Sequence, residues 1–164
     1  LVEAFNRLDA SELVLDIHDA VPALHEEEGY KDLVLTLAKR HLDVRFHGRY
    51  EWRELARILA HLDVLVVPSL CWESFCLIAR EGALAGLRVV GSTLGELGEA
   101  VEEGLCLGFE AGNPEDLADK LRLLIGDEAL RDEMSRKAGL VRSIESCVDE
   151  TEEIYRDVMP RQGV

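Results

Sequence analysis

Two glutamates, Glu73 and Glu81, lie eight residues apart where an apolar run gives way to an Ala- and Leu-rich stretch. An ionised carboxylate can only accept hydrogen bonds, so both side chains suit the hydroxyl groups of a ribose or a hexose. A helix beginning near Ser74 would direct unpaired N–H groups and its positive dipole end at a phosphate. A phosphate cradle flanked by two hydroxyl acceptors predicts a sugar-nucleotide site.

The elements that must position these residues alternate between strands and helices. Strand-like runs rich in Val and Leu occur at 12–17, 43–47, 63–68, 87–91 and 105–109. Most of them do not alternate in polarity, which is typical of strands covered on both faces. Helical periods between them predict parallel strands joined by right-handed crossovers, a doubly wound, Rossmann-like α/β sheet.

Ligands of such sheets bind at the carboxyl ends of the strands. The four relevant strand ends lie near Ile17, His47, Pro68 and Gly91. We expect Glu73 and Glu81 to face one cleft there. Glu81 follows Ile78 by three residues and Leu77 by four, which predicts that Glu81 lies toward the buried side of its helix.

The C-terminal third is predicted to be helical. Asn113 is the expected cap of one helix, with Pro114 at its first position and Gly126 at its end. Asp127 is the expected cap of a second helix, and a trailing helix occupies the range 140–160. With no linker and no internal repeat, residues 1–164 are interpreted as one domain.

Composition excludes several function classes. The 164 residues carry 33 acidic and 18 basic side chains, a net charge of −15 that argues against binding nucleic acid or an anionic membrane surface. No run resembles a signal peptide or a membrane span. Four cysteines without a CxxC pair, and five scattered histidines, predict inert thiols in a reducing cytoplasm and no structural metal site.

The run DVLVVPSLCWESFCLIAREGALAGLRVVGSTLGELGEAV resembles the signature of the retaining, family-four (group 1) glycosyltransferases of the GT-B fold. The matching positions are Pro68, Ser69, Glu73, Glu81, Ala85, Gly86, Val89, Val90, Gly95 and Glu99. Downstream, GNPEDLADKLRLLIGDEALRDEMSRKA resembles the tail of the family, and the likeness covers roughly residues 1–160. The chain is thereby identified as similar to the C-terminal, donor-binding domain of these enzymes.

The resemblance implies roles for particular residues. Glu73, as the catalytic residue, would hold the donor sugar, and Glu81 would accept hydrogen bonds from the ribose. The backbone that holds the sugar and distal phosphate would be that of Ser74, Phe75, Cys76 and Leu77. The loop from Gly48 to Tyr50 would lie beside the base, with Arg49 and Tyr50 nearest to it.

The resemblance also implies the partners of the protein. The donor would be a UDP-, GDP- or ADP-hexose, and the other partner an N-terminal acceptor-binding domain that this chain does not include. No cofactor and no metal are expected, because the chain has no DxD pair and the family uses protein cations. Membrane association, at the inner face, would come only through parts outside this chain.

Several residues depart from the family pattern. Ser74 and Cys76 stand where glycine is common, so their side chains are expected to narrow the pocket. Arg88 stands in place of a proline, and Glu96 in place of the second glycine of the Gly-rich loop. The family's phosphate-binding Arg and Lys precede the helix with which this chain opens, so the fragment alone is expected to be inactive.

The opening residues, LVEAFNRLD, read as a helix with no strand in front of it. Five strands are predicted where the family's domain has six, and the sixth would lie between the strands at 12–17 and 63–67. An empty place there would leave backbone N–H and C=O groups unpaired, at about 1–3 kcal/mol each if buried. We therefore expect upstream residues or a neighbouring chain to fill it.

Two alternative functions remain open on the sequence. A receiver-like regulatory module would use Asp16 and Asp19 at a strand end, although no later strand end carries the lysine that such a pocket needs. A catalytically inactive, transferase-like scaffold would accommodate the departures at Ser74, Cys76 and Glu96. His18 is interpreted as structural.

Overall fold

A computed structural model describes residues 1–9, 12–18, 29–40, 43–137 and 141–159. Its strands are β1 (Leu15–Ile17), β2 (Val44–Phe46), β3 (Val64–Val67), β4 (Arg88–Ser92) and β5 (Cys106–Phe109). Its helices are α1 (Val2–Phe5), α2 (Tyr30–Ala38), α3 (Leu55–Leu59), α4 (Leu77–Leu84), α5 (Glu96–Glu102), α6 (Pro114–Gly126), α7 (Glu128–Arg136) and α8 (Ile144–Val158). A 3₁₀ turn, Trp52–Glu54, precedes α3.

The strands are all parallel, which confirms the predicted fold class. β3, β4 and β5 form one sheet in that order, with Val66 opposite Val90 and Val90 opposite Leu107. β1 and β2 pair separately, with Asp16 opposite Arg45. Within the described residues β1 and β3 belong to separate sheets and do not pair with each other. What fills the place expected between them stays a prediction.

Both faces of the sheet at β4 are covered, which explains the unbroken apolar run in its sequence. Val90 packs into a cluster that includes Phe5 of α1 and Leu117 of α6. Its neighbour Val89 points the other way, into a cluster that includes Ala79 of α4 and Leu97 of α5. Because successive strand residues point to opposite faces, two adjacent fully buried valines require helices on both sides.

The C-terminal helices begin where capping chemistry predicts. The Asn113 side chain accepts hydrogen bonds from the amides of Glu115 and Asp116, both at 3.1 Å. Asp127 accepts one from the Leu130 amide at 2.9 Å and so caps α7. The trailing helix α8 begins at Ile144 and buries none of its residues. Within the described ranges, no helix has the length and apolar character needed to cross a membrane.

Candidate functional site

Two loops meet at the carboxyl ends of β3 and β4. Residues 68–76, here called the donor loop, follow β3, and residues 93–95 follow β4. Glu73 and Gly95 form an isolated parallel β-bridge, and the Glu96 amide donates to the Glu73 carbonyl at 3.1 Å. The two loops are therefore joined by backbone hydrogen bonding at the predicted crevice.

Glu73 lies half-buried in this junction. The Ser69 hydroxyl donates to Oε1 of Glu73 at 2.6 Å, within the donor loop itself. No other protein group in the described part of the chain hydrogen-bonds the Glu73 carboxylate. Its second oxygen, Oε2, is thus available to accept a hydrogen bond from a ligand. The position of this carboxylate is held by the Ser69 hydroxyl and by the backbone bridge of Glu73 to Gly95.

Gly95 adopts a conformation that permits this close approach. Its φ of 57° and ψ of −136° lie outside the regions open to residues with a side chain. A Cβ atom at this position would stand 2.7 Å from the Glu73 carbonyl oxygen and 3.1 Å from its amide nitrogen. The family's glycine at this place is therefore required by backbone geometry here.

Helix α4 begins at Leu77, so the prediction that it begins near Ser74 is wrong by three residues. The bridge to Gly95 holds residue 73 in an extended state, and Cys76 then turns the chain with φ 43° and ψ 66°. Cys76 is the single non-glycine residue with positive φ in the described ranges. A glycine-like backbone is thus present without glycine.

The side chain of Cys76 lies in the core. It is buried in the cluster that includes Ala79 and Leu97, and burial raises the pKa of its thiol. The expectation that Cys76 narrows the pocket is therefore wrong, because its sulfur packs beneath the loop. Ser74 is exposed, so its side chain remains at the surface of the donor loop.

Glu81 is exposed, which contradicts the prediction that it lies toward the buried side of α4. The helix instead buries Ala79, Gly82 and Ala83. Leu77, used to place the apolar face, is 64% exposed. In the described part of the chain no side chain or backbone group bonds the Glu81 carboxylate, so it is free to meet a ligand. That Glu81 and Glu73 face one cleft stays a prediction.

Arg49 and Tyr50 follow β2, and both are exposed. Tyr50 belongs to a group of rings at the carboxyl ends of β1 and β2. The His18 and His47 rings stack with centroids 4.5 Å apart, and Tyr50 meets His18 edge-on at 5.9 Å. His47 Nε2 lies 2.5 Å from Asp16 Oδ1.

The ionisation of His18 is influenced by this group. Partial burial and the neighbouring His47 lower the pKa of His18, while Asp16 and Glu54 oppose the shift. Asp16, the acid proposed for a receiver-like pocket, is thus engaged by His47. Asp19, the second acid of that alternative, lies outside the described residues.

The sequence did not predict an ion pair that lies under the donor loop. Arg80 Nη2 pairs with Glu96 Oε1, and Arg80 Nη1 lies 3.4 Å from Glu103 Oε2. The Arg80 guanidinium also lies 4.8 Å from the ring centroid of Phe75. A glutamate in place of a glycine could have indicated a buried cation, because a buried carboxylate needs a partner.

Two aromatic side chains of the donor loop are exposed. Trp72 is 81% exposed, and Phe75 is also exposed, with Arg80 against its ring. No three His, Cys, Asp or Glu side chains come together as possible metal ligands in the described ranges. Independence from metal stays a prediction.

Comparison with known proteins identifies the family. Residues 1–140 match the family described as "Glycosyl transferases group 1". An uncharacterised glycosyltransferase of Methanocaldococcus jannaschii is 32% identical over 134 residues, covering 79% of this chain and 38% of the relative. A D-inositol 3-phosphate glycosyltransferase of Nocardioides sp. is 34% identical over 117 residues, covering 69% of this chain and 25% of the relative.

Solved structures confirm the fold. A glycosyltransferase from Rickettsia africae superposes with a TM-score of 0.80 at 16% identity, covering 99% of this chain and 44% of that one. Anabaena HepE in complex with UDP gives 0.80 at 18% identity, covering 96% and 44%. The chain thus spans less than half the length of these relatives. With a family match over residues 1–140 and the Glu73–Gly95 junction at the strand ends, the chain belongs to the group 1 glycosyltransferases.

Proposed function

We propose that this chain binds a nucleotide-activated sugar and that the complete protein transfers its glycosyl group to an acceptor with retention. The observation that carries the proposal is the state of Glu73. Its backbone is bridged to Gly95, one carboxylate oxygen accepts from Ser69, and the other is unclaimed by the described residues. A held acceptor at the carboxyl ends of parallel strands suits the hydroxyl groups of a bound sugar.

The start of α4 supports the phosphate part of the site. Cys76, the N-cap residue, accepts a hydrogen bond from the Ala79 amide at its carbonyl at 3.1 Å, so the amides left for a ligand are those of Leu77 and Ile78. Those amides and the helix dipole would then meet the phosphate nearest the sugar. In this proposal Ser74, Phe75, Cys76 and Leu77 contribute backbone and not side-chain contacts.

The remaining assignments are those that the family resemblance implies. Glu81, exposed one turn into α4, accepts hydrogen bonds from the ribose. Arg49 and Tyr50, at the end of β2, lie beside the base. The phosphate cations, the acceptor site and any contact with the inner face of a membrane belong to other parts of the complete protein, which we propose acts in the cytoplasm.

Calorimetric titration of the complete protein with UDP-, GDP- and ADP-glucose tests the proposal. HepE has been crystallised with UDP and with UDP-glucose, so UDP-glucose is the first probe. We expect one donor to saturate a single site equally well in EDTA and in Mg²⁺, and NMR of the product to show the donor's anomeric configuration. Binding of none of the three would favour the inactive-scaffold alternative instead.

Replacing Glu81 by alanine is expected to weaken nucleotide binding by about 1–3 kcal/mol, the scale for losing a hydrogen bond to a charged group. Glu81→Gln should recover part of this loss, because its amide oxygen still accepts. Calorimetry on the complete protein measures both, with Glu102→Ala, another exposed helical glutamate, as the control. Equal affinity in all variants would show that Glu81 does not contact the nucleotide.

A further inference from the structure

A largely buried arginine, Arg80, and a buried glutamate, Glu96, lie beneath the donor loop. The side chains of Arg80 and Glu96 are only 15% and 9% exposed, whereas in every ion pair of the described residues that does not include Arg80 both side chains are at least 24% exposed. Nε of Arg80 and Oε2 of Glu96 are buried without a hydrogen-bond partner in that part of the chain. A buried charge destabilises the folded protein unless an opposite charge is paired with it. Loss of either Arg80 or Glu96 would therefore leave the other charge uncompensated.

The pair connects the donor loop to α5. Arg80 is on α4, packs its guanidinium on Phe75 of the donor loop, and binds the Glu96 carboxylate at the start of α5. Glu96 is in turn the residue whose backbone N–H donates to the Glu73 carbonyl at 3.1 Å. A movement of the Glu96 side chain would therefore move the hydrogen bond that holds Glu73.

The charge balance argues against a different use of Arg80. Its single positive charge is opposed by two carboxylates. Glu96 pairs with Nη2 of Arg80, and Oε2 of Glu103 lies 3.4 Å from Nη1. The group of three therefore carries a net negative charge and would not attract a phosphate. Arg80 neutralises Glu96 and is not a cation for the ligand.

From these contacts we infer that Arg80 and Glu96 are a positioning pair that fixes the donor loop and, through the Glu96 amide, the place of Glu73. The glutamate that departs from the family's glycine is accommodated because Arg80 neutralises it. Removing Arg80 alone would drive the uncompensated Glu96 carboxylate toward solvent and pull its amide from Glu73. Removing both charges would leave the loop in place. The effect on donor binding rests on the proposed function, whereas the effect on the loop does not.

The first test needs no ligand. Amide hydrogen exchange is measured in the complete protein for wild type, Arg80→Leu, Glu96→Gly and the double variant. Arg80→Leu is expected to raise the exchange rate of the Glu96 amide and of the donor loop roughly tenfold, the factor for one lost hydrogen bond. Glu96→Gly should have the smaller effect, because Arg80 keeps Glu103, and the double variant should exchange like wild type.

The second test measures the dissociation constant of UDP-glucose, or of GDP- or ADP-glucose if the wild type prefers it. Arg80→Leu is expected to weaken binding roughly tenfold, and the double variant to return to within about threefold of wild type. Arg80→Lys, which keeps the charge, should lie between them and serves if Arg80→Leu does not fold. Arg156→Leu removes an exposed pair with Glu152 and should leave both measurements unchanged.

The outcomes separate the two proposals. Unchanged loop exchange in Arg80→Leu would overturn the positioning pair, and so would a double variant no better than Arg80→Leu. Faster exchange with unaltered donor affinity would reduce the pair to a purely structural contact, which also overturns the inference. If wild type binds none of the donors but the exchange pattern holds, the proposed function fails while the coupling of pair and loop stands.

Discussion

Replacing Glu73 by alanine in the complete protein is expected to lower kcat by about 100-fold, the loss associated with misplacing a reacting group by about 1 Å. The carboxylate is held at Oε1 by Ser69 and through its backbone by Gly95 and Glu96. An acceptor fixed in this way can orient the donor sugar for attack. Steady-state kinetics with the preferred donor measures the effect.

Two companion variants separate what the carboxylate contributes. Glu73→Gln keeps an acceptor of the same size without the charge, so recovery would assign Glu73 to hydrogen bonding. A loss as large as in Glu73→Ala would assign it to electrostatic stabilisation of the transferred sugar. Ser69→Ala removes the hydrogen bond to the Glu73 carboxylate but keeps the carboxylate. It should therefore lower kcat less than Glu73→Ala or Glu73→Gln does. Unchanged kcat in Glu73→Ala would show that it is only a solvated loop acid.

Gly95→Ala is expected to destabilise the protein by about 3–5 kcal/mol, combining backbone strain with a steric clash. The new Cβ would stand 2.7 Å from the Glu73 carbonyl oxygen and 3.2 Å from Cε3 of Trp72. The oxygen belongs to a backbone held in a bridge, so it cannot move aside as a flexible side chain could. Denaturant unfolding gives the free energy, and donor titration should show weakened binding in the same variant.

Two other glycines provide matched controls. Gly86 also has positive φ, at 82°, but its Cβ would meet nothing within 4 Å, so Gly86→Ala isolates the backbone strain. Gly98, inside α5, would meet its nearest atom at 3.6 Å, so Gly98→Ala adds neither strain nor clash. The order of stability loss should be Gly95, then Gly86, then Gly98. A Gly95→Ala protein no weaker than Gly86→Ala would contradict the close approach to Glu73.

The elements of the fold could be predicted from sequence because their signals are local. Asn113 followed by Pro114 indicates a helix start, and the strands are short apolar runs between helical periods. The start of α4 could not be predicted in this way. It depends on the bridge from Glu73 to Gly95, which are 22 residues apart in the chain, and on the left-handed turn at Cys76.

The site was predictable in its residue types and less so in its surroundings. The resemblance supplied Glu73 and Glu81, but helical spacing placed Glu81 on the wrong side because Leu77, an apolar residue, is exposed. The pairing of Arg80 was not predicted, because its partner Glu96 is 16 residues away along the chain. A spacing rule reports which residues share a helix face, whereas a pair between two helices is set by their packing.

Because the cysteines differ in burial, their alkylation rates can report the opening of the donor loop. Cys71 is exposed, whereas Cys76 and Cys106 are buried. Burial raises the pKa of Cys106 to about 12 and that of Cys76 in the same direction, so neither presents a reactive thiolate near neutral pH in the closed molecule. Alkylation of Cys76 must wait for the donor loop to open. The alkylation rate of Cys76, measured relative to that of the exposed Cys71, therefore reports how often the donor loop opens.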